Sequence, residues 1–300
     1  MITAFDQILK AAREKGPKVI AVAVAQDVEV LSAINSAKDL GIADAILVGD
    51  KDEILTAAGK CGVELAKFEI IHIADKAEAC LKAVELVSSG RAQLLMKGLV
   101  DTSVILKAVL DEKIGLRTGN VLSHVAVFDV NGYNRLFYVT DAAMNLAPSL
   151  VQKKQIIENA VQVAQALGNE TPKVGVLAAV EKVNPKMQAT VDAVELVAMN
   201  ERGEIKNCIV AGPFALDNAI SVEAAKHKGM DHPVAGLADI LMVPTIEAGN
   251  MLYKSMVFFA KAKNAGIIVG AKAPVVLTSR ADSDEAKLNS IAIGVLMASK

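Results

Sequence analysis

The sequence predicts an α/β protein of two domains, each built on a mainly parallel sheet. Three observations lead there. Short apolar, β-branched runs alternate with amphipathic helical patterns along nearly the whole chain. The runs are almost continuously apolar, as expected of strands covered on both faces. The chain has 300 residues and is 53% hydrophobic, which exceeds one small domain and supplies a sizeable core.

Taken in order, residues 19–25 form a strand and 28–40 a helix. Residues 45–48 form a strand ending in Gly49-Asp50, with a helix to about residue 60. Residues 68–73 are extended and 77–87 helical. Residues 94–96 are a strand ending in Lys97-Gly98, and 102–110 are helical. The alternation breaks once, at two strands over 121–130 and 133–140 joined by Asn131-Gly132. That dipeptide is a strong hairpin signal, because both turn residues must accept positive φ. Beyond it come a helix over 149–167, a strand over 173–179, a helix over 187–199 and a strand over 205–210. A helix over 217–226, a strand over 240–243 and a helix over 251–262 follow. Strands over 267–269 and 275–277 precede a last helix over 283–297. The segments 141–148 and 269–274 are the candidate domain boundaries.

Composition excludes several classes. Lys and Arg number 32 against 34 Asp and Glu, so the chain lacks the basic excess of a nucleic-acid binder. No apolar run approaches the roughly 20 residues of a membrane helix. The opening Met1-Ile2-Thr3-Ala4-Phe5-Asp6 has no basic region followed by an apolar stretch, so no secretory signal is expected. Cys61, Cys80 and Cys208 are scattered, which argues against a disulfide framework and for a reducing cytoplasm. Tryptophan is absent and aromatics are 3%, too few for a base-stacking platform.

In open α/β sheets ligands bind beyond the carboxyl ends of strands, so the residues following each strand are the candidates. The most informative are Thr278-Ser279-Arg280-Ala281-Asp282, between a buried strand and a helix start. Free backbone N–H groups, a hydroxyl and a planar guanidinium there suit an anion such as phosphate. The alternative is that Thr278, Ser279 and Asp282 only cap the last helix. Lys97 stands at another strand end. Gly249 and Asn250 tolerate unusual backbone angles and let a ligand approach, and Lys254 lies about one helical turn further. Gly212-Pro213 is turn punctuation, with Asp217 a possible N-cap. Each signal alone also has a purely structural reading; together they point to an anionic ligand. There is no Walker A run, no dinucleotide glycine fingerprint and no nucleophile elbow. His72, His124, His227 and His232 are dispersed, so no metal site is expected.

The run over 274–283 (PVVLTSRADS) resembles the C-terminal signature of the phosphate butyryltransferases. So do the runs over 212–221 (GPFALDNAIS) and 235–254 (AGLADILMVPTIEAGNMLYK). Lys97-Gly98 through Thr102, with Leu106-Lys107, resembles that family's first half. The similarity covers nearly the whole chain, and the wider group is the phosphate acetyl/butyryltransferases. The resemblance implies two α/β domains flanking an interdomain cleft, like the isocitrate and isopropylmalate dehydrogenases. It implies a discontinuous first domain, residues 1–140 plus 272–300, and a second over 141–271. It also implies a cytoplasmic homo-oligomer acting in butanoate metabolism and fermentation, with no cofactor beyond CoA and acyl-CoA as substrates.

The implied reaction is butanoyl-CoA plus phosphate giving butanoyl phosphate plus CoA, reversible, by direct transfer in a ternary complex. Ser279 and Arg280 match a catalytic Ser-Arg pair of the acetyltransferase branch. Lys107 stands where that branch has a substrate-binding arginine, so a fork becomes a point charge. Arg117 falls near a second such arginine. That branch also has an aspartate seven residues after the serine; here the position is Ala286. Asp282 is the expected replacement as thiol base, with Asp284 the alternative. Ser279 is then expected to donate to the carbonyl oxygen or phosphate, and Arg280 to hold phosphate. Lys97, Lys107, Arg117, Gly212, Gly249, Asn250 and Lys254 line the substrates. Other acyl lengths remain open, acetyl and branched chains among them. The competing classes are a non-catalytic acyl-CoA or acyl-phosphate sensor and a cleft dehydrogenase, which would need a metal-binding acidic cluster.

Overall fold

The computed structural model describes residues 1–279 and 282–299. Tertiary contacts divide the chain into two compact units. One comprises Phe5–Asn120 and Ala265–Lys300, the other Met1–Ala4 and Val121–Asn264.

The first unit opens with α1 (Phe5–Lys15), which the strand-and-helix reading passed over. Its apolar spacing, Phe5, Ile8 and Ala12, buries one face. It continues with β1 (Lys18–Ala23), α2 (Val28–Asp39), β2 (Ala43–Gly49), α3 (Lys51–Cys61), β3 (Glu69–His72), α4 (Lys76–Ser88), β4 (Leu94–Lys97) and α5 (Thr102–Val109). Three of these helices start alike. Asp27, Asp50 and Asp75 each place a side-chain oxygen on backbone N–H groups of the first turn. This satisfies donors that the helix itself leaves open.

The second unit holds β5 (Ser123–Asp129), β6 (Leu136–Thr140), α6 (Leu150–Ala166), β7 (Lys173–Leu177), α7 (Gln188–Glu201) and β8 (Ile209–Phe214). After these come α8 (Leu216–Ile220), α9 (Val222–His227), β9 (Ile240–Met242) and α10 (Ile246–Phe258). The chain then forms β10 (Lys263–Val269), β11 (Val275–Val276) and α11 (Asp284–Met297).

Within the first unit the strand order is β3-β2-β1-β4-β11-β10. Every neighbouring pair is parallel except β10 with β11. Within the second it is β5-β6-β9-β7-β8, parallel except for the β5–β6 hairpin. The architecture is therefore the mainly parallel α/β class expected.

Four expectations change. The boundaries expected near 140 and 272 fall at 120/121 and 264/265. The hairpin belongs to the second unit because β6 pairs with β9, Tyr138 opposite Ile240. Strand β10 belongs with the first because Ile267 pairs with Val276. Asn131-Gly132 does not make a two-residue hairpin turn. The strands part at Asp129 and Leu136, and only Gly132 has positive φ. The Tyr133 N–H meets the Val130 carbonyl at 3.1 Å, so Gly132 serves the third position of a type II turn. The helix expected over 217–226 is two, with Ser221 ending α8 and capping α9 through the Ala224 N–H. Helix α10 starts at Ile246 and stops at Phe258, earlier than expected at both ends.

Candidate active site

In the first unit, β4 and β11 lie side by side, Val276 opposite Met96, so both release their chains at the same sheet edge. From β4 comes Lys97, 6% exposed, its Nζ donating to the carbonyls of Gly98 (3.2 Å) and Val100 (3.1 Å). Gly98 is required there, since a Cβ would strike the Val24 and Ala23 carbonyls of the neighbouring strand end. Burial pushes the thiol of nearby Cys80 up to about 11, and the positive Lys97 works against that rise.

From β11 the chain runs through buried Leu277 and Thr278 to half-buried Ser279. A tight turn follows. The Ser279 N–H donates to Asp282 Oδ2 at 2.7 Å, and the Asp282 N–H donates to the Ser279 carbonyl at 3.1 Å. Helix α11 is capped by Ser283, whose Oγ accepts the Ala286 N–H at 3.2 Å. Locally, Ser283 caps the helix, whereas Asp282 closes a turn around Ser279. Arg280 lies outside the described residues. Ala286, seven residues after Ser279, is buried at 3% exposure and brings no carboxylate. Asp284 sits exposed in the first turn of α11, one carboxylate oxygen on the Glu285 N–H.

Lys107 and Arg117 are exposed. Lys107 occupies the last turn of α5, and Arg117 faces Glu112 at 3.7 Å in the following segment. Among the described residues neither bonds to the Ser279 turn.

In the second unit the expected loop around Gly249 and Asn250 is helix. Gly249 is buried in the second turn of α10, and a Cβ there would meet the Asp141 carbonyl at 2.5 Å and Ala142 Cα at 2.9 Å. Its lack of a side chain lets the helix approach that backbone. Asn250 is exposed and reaches the Ala142 carbonyl at 3.4 Å. Lys254 lies over the Tyr253 and Phe258 rings, 5.2 and 5.9 Å from their centroids. Gly212-Pro213 is not a turn. It lies inside β8, where the pairing with β7 shifts register between Gly175 and Leu177. A bulge on the outermost strand tolerates a proline that cannot donate to a ladder. Asp217 follows the N-cap instead of forming it; the cap residue is Ala215.

Sequence reading missed Lys287. It is 4% exposed, and its Nζ stands 2.6 Å from the Asp282 carbonyl. A lysine four residues past the cap serine was the available signal, but only the fold shows which way it turns.

A model of the phosphate acetyl/butaryl transferase family matches residues 3–80 and 76–295. The chain belongs to this family. A phosphate butyryltransferase of Clostridium beijerinckii is 54% identical over 296 residues, covering 99% of this chain and 98% of that one. A solved branched-chain phosphotransacylase of Enterococcus faecalis V583 has a TM-score of 0.84 and 38% identity, over 94% of this chain and 99% of that one. The fold alone extends to a 4-hydroxythreonine-4-phosphate dehydrogenase of Klebsiella pneumoniae, with a TM-score of 0.58 and 12% identity over 94% of this chain and 100% of that one. The α/β fold that the resemblance implied is thus shared with a dehydrogenase. Among the described residues no three His, Cys, Asp or Glu side chains are grouped to hold a metal ion, and no helix is long and apolar enough to cross a membrane.

Proposed function

We propose that the chain transfers an acyl group reversibly between CoA and phosphate, with butanoyl-CoA as its principal substrate. The supporting observation is the closed turn presenting Ser279 at a strand end, next to the strand that ends in buried Lys97, in a chain matching this transferase family almost end to end. Acyl transfer between thiolate and phosphate needs the two substrates held close and aligned, which supplies about 7–11 kcal/mol of the barrier in favourable cases. The Ser279 hydroxyl donates to the carbonyl oxygen as it becomes an oxyanion, or to phosphate. Arg280 grips phosphate through its planar fork. Asp282 takes the thiol proton in the direction that consumes CoA. Its turn-closing bond gives a clean test. Asp282→Asn keeps an acceptor for the Ser279 N–H but loses basicity. A full rate and unaltered pH profile in that variant would leave Asp282 a turn former only.

Lys107, Arg117 and Lys254 supply positive charge for CoA and phosphate, and no metal takes part, so a chelator leaves the rate unchanged. The protein works in the cytoplasm as a homo-oligomer. The exposure of Phe259 (88%) and Met251 (64%) at α10 supports burial against a second copy.

The deciding experiment supplies purified protein with butanoyl-CoA, phosphate and a thiol reagent. Thiol release that depends on phosphate is expected. Binding without turnover would support a sensor instead. The likeness to a branched-chain phosphotransacylase favours a second reading in which branched acyl groups are preferred. One methylene is worth about 1–3 kcal/mol in an apolar pocket, so kcat/KM across an acyl-CoA panel separates the two.

A further inference from the structure

The turn that presents Ser279 is held from behind by a buried cation. Lys287 lies one helical turn beyond the cap residue Ser283 and is 4% exposed. Placing an ammonium in such a position is unfavourable unless it is strongly hydrogen-bonded. An apolar side chain would fill the same space without that cost. What the charge provides is a 2.6 Å bond to the Asp282 carbonyl. Bonds from charged donors are shorter and about twice as strong as neutral ones. The residue so held already has its carboxylate on the Ser279 N–H and its own N–H on the Ser279 carbonyl. Ammonium, Asp282 and Ser279 are therefore linked in one relay. Ser290, another buried polar group along α11, serves another purpose. Its Oγ accepts the Gly266 N–H at 2.9 Å and donates to the Ala286 carbonyl, tying the helix to β10.

We infer that Lys287 is a positioning residue for acyl transfer, its buried ammonium clamping Asp282 so that the Ser279 hydroxyl stands where the reacting group needs a donor. This rests on the reading of Ser279 given above. A displacement of about 1 Å at a reacting centre can cost about 10²-fold in rate, so loss of the clamp should be read in turnover.

A double-mutant cycle on the full chain tests it, with kcat and the KM values for phosphate and butanoyl-CoA measured for Ser279→Ala, Lys287→Met and the pair. Ser290→Ala is the control for structural loss on the same helix. Lys287→Met is expected to lower kcat about 10²-fold. The same change in the Ser279→Ala background should cost almost nothing, because the two act as a unit. Lys287→Ala should regain part of its kcat with added ethylammonium, without a matching gain in Tm. Ser290→Ala should lower Tm and leave kcat near wild type. If Lys287→Met turns over at the wild-type rate while Ser279→Ala is slow, the inference is overturned and the Ser279 reading stands. If the losses simply add, Lys287 does not act through Ser279 and the inference fails. If Ser279→Ala keeps its rate, the reading of Ser279 falls and the inference with it. Should Lys287→Met not fold, Lys287→Gln, a neutral donor, takes its place with the same expectations.

Discussion

Two strand-to-helix connections that looked alike in sequence are built differently. Between β9 and α10 only residues 243–245 intervene, and the helix N-cap Thr245 makes no side-chain cap bond. The helix is instead pressed onto the Asp141–Ala142 backbone, which Gly249 permits. Between β11 and α11 the connection spans residues 277–283 and is organised by polar groups: Ser279 with Asp282, Lys287 with Asp282, and Ser283 with the helix start. A short connection leaves Gly249, inside the helix that follows it, to serve packing. A long one needs hydrogen bonds to hold shape, and these same groups can be turned toward a ligand.

The largest expected difference is in rate. Ser279→Ala should lower kcat by about 10²–10³, the usual effect of removing one oxyanion donor. A twofold loss would erase the functional contrast between the two connections. Next comes packing. Gly249→Ala should destabilise by about 1–3 kcal/mol through overpacking, read in urea unfolding, while the folded fraction keeps its turnover. Lost activity at full stability would return Gly249 to the substrate site. The caps should differ in the same sense. Ser283→Ala should cost about 1 kcal/mol, and Thr245→Ala about 0.5 kcal/mol or less. Equal costs would show that both helix starts rely on their caps.

A last contrast lies between the units themselves. Burial pushes Cys80 in one and Cys208 in the other up to about 11, from 9.0. The native state therefore keeps both thiols protonated where the unfolded chain releases its protons. The resulting stabilisation is complete below pH 9 and is lost as pH rises through about 11. Urea midpoints between pH 8 and about 11 should fall accordingly, and half-buried Cys61 should react with thiol reagents before either. Rapid labelling of Cys80 or Cys208 in the native protein would contradict the burial of both cores.

Much of the fold was legible because parallel strands are apolar throughout and end abruptly. The starts at Val28, Thr102 and Lys173 agree with the structure to the residue. Two failures have identifiable causes. Gly212-Pro213 reads as a turn locally, but an edge-strand bulge accommodates the pair. Helix α10 begins five residues early because Gly249 and Asn250, residues of poor local helix preference, are overridden by packing on Asp141 and Ala142. Of the candidate residues, Lys97 and Ser279 were singled out from strand-end position, whereas Asp282 read locally as a cap and became a candidate base only through the resemblance. Lys107 and Arg117 were found only by resemblance and lie exposed on the surface of their unit.

By itself, the sequence determined the α/β class, the succession of most strands and helices and the family, because periodicity and motif are properties of neighbours along the chain. Tertiary structure decided the division at 120 and 264, the partner strands of each hairpin and the fate of each polar side chain. Hydrogen bonding between residues such as Lys287 and Asp282 depends on direction and burial, and those are fixed only when the helix docks against its sheet.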